Sequence, residues 1–303
     1  RGELIFMKKS SEKKILGFFL LFLTALIWGV AFVAQSVGMD HIGPYTFNTG
    51  RLLLGAAVTM PWAIMELKKQ KNAEEEKEVY IKKRNSSIIG AAFCAVVFFL
   101  AVNLQQFALI GSSVANVSFI TTLYILIIPI IGMFLGKKHG LSIWIAIAIA
   151  VVGMYLLCIK EGLVLEMGDI LAFICAIMFA LQILIIDRYV AKSYVTVLCC
   201  MQNLFAGLIS FVFMLVFEGV NLEGIKTVWL PLAYTGILST GLAYTTQMLG
   251  QKYLKPTVAS LIMSLESVIA AIAAWLIIGQ ALSLREMLGC ALVFVGVIIA
   301  QIN

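Results

Sequence analysis

From Ile15 to Met39 the chain reads ILGFFLLFLTALIWGVAFVAQSVGM, twenty-five residues without a charge. About 20 apolar residues cross the ~30 Å hydrocarbon core of a bilayer as a helix, and a helix satisfies every backbone polar group within the segment. The run is too long for a signal-peptide core and no small-residue cleavage site follows it, so it is read as a retained helix. Comparable runs recur along the chain, giving ten expected spans at about 15–38, 44–66, 87–109, 112–135, 141–159, 168–187, 194–217, 228–250, 256–279 and 284–301. Pro44 and Pro256 fall at the first turn of a span, where a missing N–H is harmless. Pro129 lies inside the fourth span and predicts a kink there.

Composition supports an all-α integral membrane protein. The 303 residues are 62% hydrophobic and 13% charged, against about 25% charged in soluble domains, too few polar groups to cover a soluble surface. The 19 Phe and 5 Trp, with only 5 Pro, exclude a disordered chain. Ten spans with short loops leave no room for a soluble catalytic domain.

The net charge of +6 follows topology rather than a nucleic-acid partner. With both termini cytoplasmic, 18 of the 22 basic residues fall in inside segments; Lys160, Lys226 and Arg285 fall outside, and Arg51 lies within a span. That asymmetry predicts a multi-pass protein of the cell membrane with both termini inside. Residues 67–86 are a mixed-charge cytoplasmic linker in which Glu–Lys pairs favour helix. Residues 1–14 form a cytoplasmic N-terminal segment, of which 1–6 precede Met7 and are set aside as either a non-native addition or a misplaced start. The six cysteines (94, 158, 175, 199, 200 and 290) lie in apolar runs without CxxC spacing and read as small buried hydrophobes. His41 and His139 have no second ligand nearby, so neither a metal nor a cofactor is expected.

The sequence repeats. GKKHGLSIWIAIAIAVVG (136–153) aligns without a gap to GQALSLREMLGCALVFVG (279–296), and SSVAN (112–116) resembles PTVAS (256–260). Setting Gly17–Gly55 against Gly168–Ala206 places Trp28 opposite Phe179 and Arg51 opposite Gln202. Two five-helix halves result, at 15–159 and 160–303. Five is odd, so the second half enters from the opposite side, which makes the halves inverted repeats with a substrate site near the midplane.

With these segments in hand, the chain resembles the EamA-type members of the drug/metabolite transporter superfamily. The resemblance covers about 15–301 and is carried by TALIWGVAFVAQ (24–35), FNTGRLLLGA (47–56), ANVSFITTLYILIIPIIGMFLGKK (115–138) and STGLAYTTQMLGQKYLKPTVASLIMSLESVIAAIAAWLIIGQALS (239–283). Where such proteins often read SLEPV and LGE, this chain has Ser264–Val268 without the proline and Gln280 in place of the acid, so no family-wide role is carried to those two positions. The resemblance implies a ten-helix exporter of amino acids, other metabolites or toxic compounds, with a cavity among spans 1, 3, 4, 6, 8 and 9.

Charges in hydrocarbon cost about 2.5–3.5 kcal/mol on insertion scales, which singles out two residues. Glu266, near the middle of the ninth span, is either a proton-titrated carboxyl facing the cavity, and so the candidate for coupling, or a group tied up by helix-to-helix bonds. Arg51, in the second span, is assigned a structural role. Thr24, Trp28, Ala31 and Gln35 form one stripe of the first span; Phe99, Asn103 and Gln106 share a face of the third; Thr240, Tyr244, Gln247 and Gln251 share one of the eighth; Gln182 is the polar member of the matching stripe in the sixth. Polar residues of this kind also hold helices together. The expected substrate-binding set is Trp28, Asn103, Tyr244, Gln247 and Glu266, backed by Gln35, Gln106 and Gln182. Gly132 and Gly136 form a GxxxG, and Gly289 and Gly296 lie a heptad apart; these read as helix contacts.

The function expected from these features is secondary transport of a small organic solute, outward, by alternating access, as a monomer or homodimer, with proton coupling open. An intramembrane enzyme is the alternative, but a second deep acid or a histidine beside Glu266 is lacking. A channel or non-transporting receptor is another, but rings of charge or repeated carbonyl loops are lacking. No GxxxxGK[ST] occurs, which argues against ATP-driven transport by this chain alone.

Overall fold

Each apolar run folds as helix. The computed structural model describes residues 2–73, 77–112, 114–158, 166–278 and 282–301, and among them there is no strand. The junction read at 159/160, Lys160, the side chain of Cys158 and the Gly279–Gln280 pair lie outside the described residues. The elements are α1 (Gly2–Met39), α2 (Pro44–Ala73), α3 (Lys77–Gly111), α4 (Val114–Thr122), α5 (Tyr124–Phe134), α6 (Leu141–Cys158), α7 (Met167–Val190), α8 (Val195–Phe217), α9 (Leu222–Thr227) and α10 (Trp229–Ala233). A π-helical segment (Tyr234–Ala243) then leads into α11 (Tyr244–Gln251), followed by α12 (Pro256–Met263), α13 (Leu265–Ile278) and α14 (Leu284–Gln301).

Six stretches are long and apolar enough to cross a membrane: Glu12–Met39, Lys77–Gly111, Asn116–Phe134, Met167–Val190, Val195–Phe217 and Pro256–Ala273. Large apolar side chains face outward along these and neighbouring helices, among them Phe19, Trp62, Phe93, Leu215, Leu276 and Ile298. A soluble surface does not carry so much contiguous apolar area; the chain is a multi-pass membrane protein whose outer face meets lipid. The 67–86 segment is helical on both sides of 74–76: residues 67–73 extend α2 and 77–86 open α3.

The packing is symmetric under exchange of the halves. Helices α2 and α8 pack together, as do α6 and α14. The α3–α7 contact has its counterpart in α1 with α11 and the π segment, α3–α8 in α2 with the π segment, and α1–α13 in α7 with α4 and α5. Glycines allow the closest approach: a Cβ on Gly153 would lie 2.7 Å from the Gly289 carbonyl, and one on Gly296 would lie 2.7 Å from that of Ala146. The helix-contact reading of Gly289 and Gly296 therefore holds, and their partner is α6.

Helices α2 and α8 run antiparallel and cap each other. The Glu218 carboxylate, just past α8, accepts the Tyr45 N–H (2.9 Å), the Thr46 N–H (2.7 Å) and the Thr46 hydroxyl (2.7 Å) at the start of α2. At the other end Glu66 Oε2, late in α2, accepts the Thr196 N–H (3.1 Å) and hydroxyl at the start of α8. The first N–H groups of a helix lack intrahelical acceptors and carry the positive end of its dipole, so a carboxylate there satisfies both.

The fourth span is interrupted at Leu123, between α4 and α5, and α5 runs on through Pro129. The corresponding span of the second half is interrupted at Ser264, between α12 and α13, where the Ser264 and Ser267 hydroxyls donate back to Leu261 O (2.7 Å) and Ser264 O (2.8 Å). No proline lies inside that second span, so the break belongs to the repeat and not to a proline. The GxxxG of α5 is not a helix-contact motif. Gly136 has φ +78° and open space around it, and the Lys137 N–H returns to Gly132 O at 2.8 Å; this is a left-handed glycine ending a helix.

Candidate functional site

Both interrupted spans meet at a central cavity. Helix α1 contributes Trp28, Ala31, Phe32 and Gln35; α2 contributes Arg51; α3, Gln105; α4 and α5, Thr121 and Tyr124; α7, Phe179, Gln182 and Ile183. The second half completes the wall with Ser239 of the π segment, Tyr244 and Gln247 of α11, and Glu266 of α13. The bordering helices are those expected, spans 1, 3, 4, 6, 8 and 9, with α2 added through Arg51.

Glu266 is 4% exposed and accepts from the Thr122 hydroxyl and the Tyr124 phenol, both at 3.4 Å. Both bonds are long, so the carboxyl is only loosely held. It does not pair with Arg51, whose recorded partners are neutral. Arg51 donates Nε to Asn48 Oδ1 at 2.7 Å and Nη1 to Gln35 Oε1 at 2.8 Å. Its Nη2 has no hydrogen-bond partner among the described residues.

The aromatic side is formed by Trp28 and Tyr244, ring centroids 4.8 Å apart, with Phe98 packed edge-on to Tyr244 at 4.6 Å. Trp28 Nε1 donates to the Ser239 carbonyl at 3.3 Å. That carbonyl lies in the π segment, where hydrogen bonds run i to i+5. Neighbouring helices engage further carbonyls of the same segment: Asn203 Nδ2 donates to Thr240 O (3.2 Å) and Thr24 Oγ1 to Ala243 O (3.2 Å).

The structure brings six members of the expected set to the cavity wall: Trp28, Gln35, Gln182, Tyr244, Gln247 and Glu266. It does not bring Asn103 or Gln106 there. Asn103 accepts from Asn48 (2.9 Å) and donates to Phe99 O (2.8 Å) and Ser210 Oγ (3.3 Å), inside a helix-to-helix network. Gln106 Nε2 donates to Gln35 O at 3.2 Å. The adjacent Gln105 lines the cavity instead, a one-residue error of phase in α3. The eighth-span face is also corrected. Ser239, five residues before Tyr244, lies on the wall, whereas Thr240 packs against Gly55 and Asn203. An α-helical count of four cannot predict this; the π count of five does. Arg51, assigned to structure, lies on the wall as well.

Two polar links recur across the halves. Arg51 of α2 holds Gln35 of α1, and Gln202 of α8 accepts Gln182 Nε2 of α7 at 3.1 Å. Several amide atoms remain unpaired among the described residues: both polar atoms of Gln247, Gln182 Oε1 and Gln202 Nε2. Buried polar atoms are normally paired; of these residues Gln247 and Gln182 line the cavity, and Gln202 is not among the lining residues.

Comparison with known proteins decides the family. The pattern of the EamA-like transporter family matches residues 15–159 and again residues 166–301. The chain belongs to the EamA-like transporter family. An uncharacterized transporter of Archaeoglobus fulgidus is 29% identical over 93% of this chain and 85% of its own length. The uncharacterized transporter YoaV of Bacillus subtilis is 23% identical over 90% and 92%, and one from Clostridium kluyveri is 23% identical over 93% and 92%. A solved crystal structure superposes with a TM-score of 0.75 at 18% identity, covering 96% of this chain and 97% of that one, which establishes a shared fold. For an EamA-like protein the cavity lies where the two matched segments face each other.

Proposed function

We propose that this chain is a secondary transporter that moves a small organic solute, an amino acid, a related metabolite or a toxic amphipathic compound, outward across the cell membrane by alternating access. One observation carries the reading: two interrupted helices, in corresponding positions of the two halves, meet at a polar and aromatic cavity. Interrupted helices of this kind frame substrate sites in inverted-repeat transporters. The reading includes ten spans, so that α2, α6, the α10–α11 rod and α14 also cross the bilayer. It places both termini in the cytoplasm, because the basic residues cluster in the loops on that side. The halves are taken as 15–159 and 160–303. Trp28, Gln35, Gln182, Tyr244, Gln247 and Glu266 are the substrate-facing group. Glu266 is the coupling group, since its weakly held carboxyl can exchange a proton with a cavity open to either side. Asn103 and Gln106 hold the supporting helices together.

Among the described residues the wall carries one carboxyl and no histidine, which favours transport over intramembrane hydrolysis. Counterflow in proteoliposomes over a panel of amino acids, aromatic acids and amines, with and without a pH gradient, tests the proposal. Exchange of one solute class is expected. Absence of exchange for every class, with protein verified as folded and inserted, would refute it.

A further inference from the structure

The guanidinium of Arg51 is 3% exposed and fixed on two sides by neutral acceptors, Asn48 Oδ1 and Gln35 Oε1. Asn48 is itself anchored through Nδ2 to Val102 O (3.1 Å) and Asn103 Oδ1 (2.9 Å), so the group cannot swing to find another partner without breaking that network. Its third corner, Nη2, is buried and unpartnered among the described residues, and Arg51 is one of the residues that line the cavity. A guanidinium does not lose its proton to escape burial, and a buried charge without a counter-charge is strongly unfavourable. Amide oxygens accept its hydrogen bonds but do not neutralise it.

Packing alone does not require the charge. In the second half the sequence alignment sets Gln202 opposite Arg51; Gln202 joins α8 to α7 through Gln182, and Arg51 joins α2 to α1 through Gln35, which that alignment sets opposite Ile186. A neutral amide performs that linking role there. The first half therefore carries a positive charge in a place its repeat fills without one, on a residue that borders the cavity. Glu266 does not supply the missing anion, since Thr122 and Tyr124 are its partners and it forms no ion pair with Arg51.

We infer that the solute taken into this cavity bears a carboxylate, and that Arg51 Nη2 binds it. The inference rests on the transport reading above and adds the residue and charge class that the reading leaves open. A carboxylate fits the planar fork of a guanidinium, and charge-assisted bonds of this kind are stronger than neutral ones. The Trp28 and Tyr244 rings and Phe179 provide an apolar wall for the remainder of the molecule.

The test uses matched probes on the full chain in lipid nanodiscs: 3-phenylpropionate against 3-phenylpropionamide and phenethylamine, and phenylalanine against phenylalaninamide. Binding is read by the shift in melting midpoint as each is titrated. The carboxylate member of each pair should bind at least about tenfold tighter than its amide, the scale of one hydrogen bond to a charged group. Arg51→Gln should abolish the ratio. Gln35→Glu, which supplies a resident negative charge against Nη1 and leaves the guanidinium in place, should abolish it too and guards against a folding defect in the first variant. Equal or preferential binding of the amide or amine, no binding of either carboxylate, or a ratio preserved in both variants overturns the inference. Counterflow separates the two readings. If amides or amines exchange and carboxylates do not, the carboxylate inference fails while transport stands. If carboxylates bind but nothing exchanges, transport fails while the site stands.

Discussion

The phenol of Tyr124 donates to Glu266 Oε1 at 3.4 Å, and this bond joins the first residue of α5 to the second residue of α13. Tyr124 directly follows the interruption of its span and Glu266 lies two residues past its own, so the two breaks face each other across the cavity. A carboxyl at such a junction is in contact with the parts of both halves that are least constrained by helix hydrogen bonds.

Replacement of Glu266 by Gln keeps shape and removes the exchangeable proton. The variant should fold, exchange solute in counterflow, and lose the acceleration that a pH gradient gives wild-type net transport. Proteoliposome uptake across imposed gradients provides the measurement. A variant that unfolds, or one that keeps the full pH response, would show that Glu266 serves structure instead.

The reciprocal caps of α2 and α8 should be separately and additively important. Glu218→Gln and Glu66→Gln each remove a charged acceptor from a helix start, and each should cost about 0.5–2 kcal/mol. The two sites lie at opposite ends of the helix pair, so the double variant should show the sum within about 0.5 kcal/mol. Thermal unfolding in detergent measures this, and a double variant no worse than either single one contradicts it.

Gly153 and Gly289 meet backbone to backbone, so a larger side chain has nowhere to go. Gly153→Val should destabilise by about 1–3 kcal/mol or more through overpacking. Gly136→Ala, at φ +78° in open space, should cost less, through strain alone. Melting midpoints of the purified variants should rank in that order.

Orientation is open to chemical labelling. Cysteines introduced at Lys71 and at Glu223, on a background lacking reactive native thiols, should react from opposite sides of the membrane, the first only from inside. Equal labelling of both by an impermeant reagent in intact cells would overturn the proposed topology.

Much of this was legible beforehand. Length and freedom from charge marked the runs, and six of them are long and apolar enough in the structure to cross a membrane. Trp28 and Gln35 lie about two turns apart in a regular α-helix, so their shared face followed from the period, and both reach the wall. Where the period changes, legibility ends. Nothing in YTGILSTGLA announces a π segment, and Ser239 therefore displaced Thr240. Gln105 and Gln106 are adjacent amides about 100° apart on one helix, and sequence alone does not say which one meets the cavity. The break at Ser264 left only a weak trace, two serines able to bond back to their own turn. Arg51 was assigned a structural role, and it does hold Asn48 and Gln35; that it also borders the cavity was not legible, because a residue expected near the end of a span can equally reach water.

The α2–α8 contact has the logic of an isologous interface: the tail of each helix caps the head of the other, as across the two-fold axis of a homodimer. In assembly terms the molecule is an antiparallel dimer written as one polypeptide. A true two-fold pair of identical subunits would present its central cavity with two guanidinium groups or none. Joining the copies covalently lets Arg51 stand at one of two corresponding places and Gln202 at the other, and only Arg51 borders the cavity, so the cavity acquires a direction that its scaffold lacks.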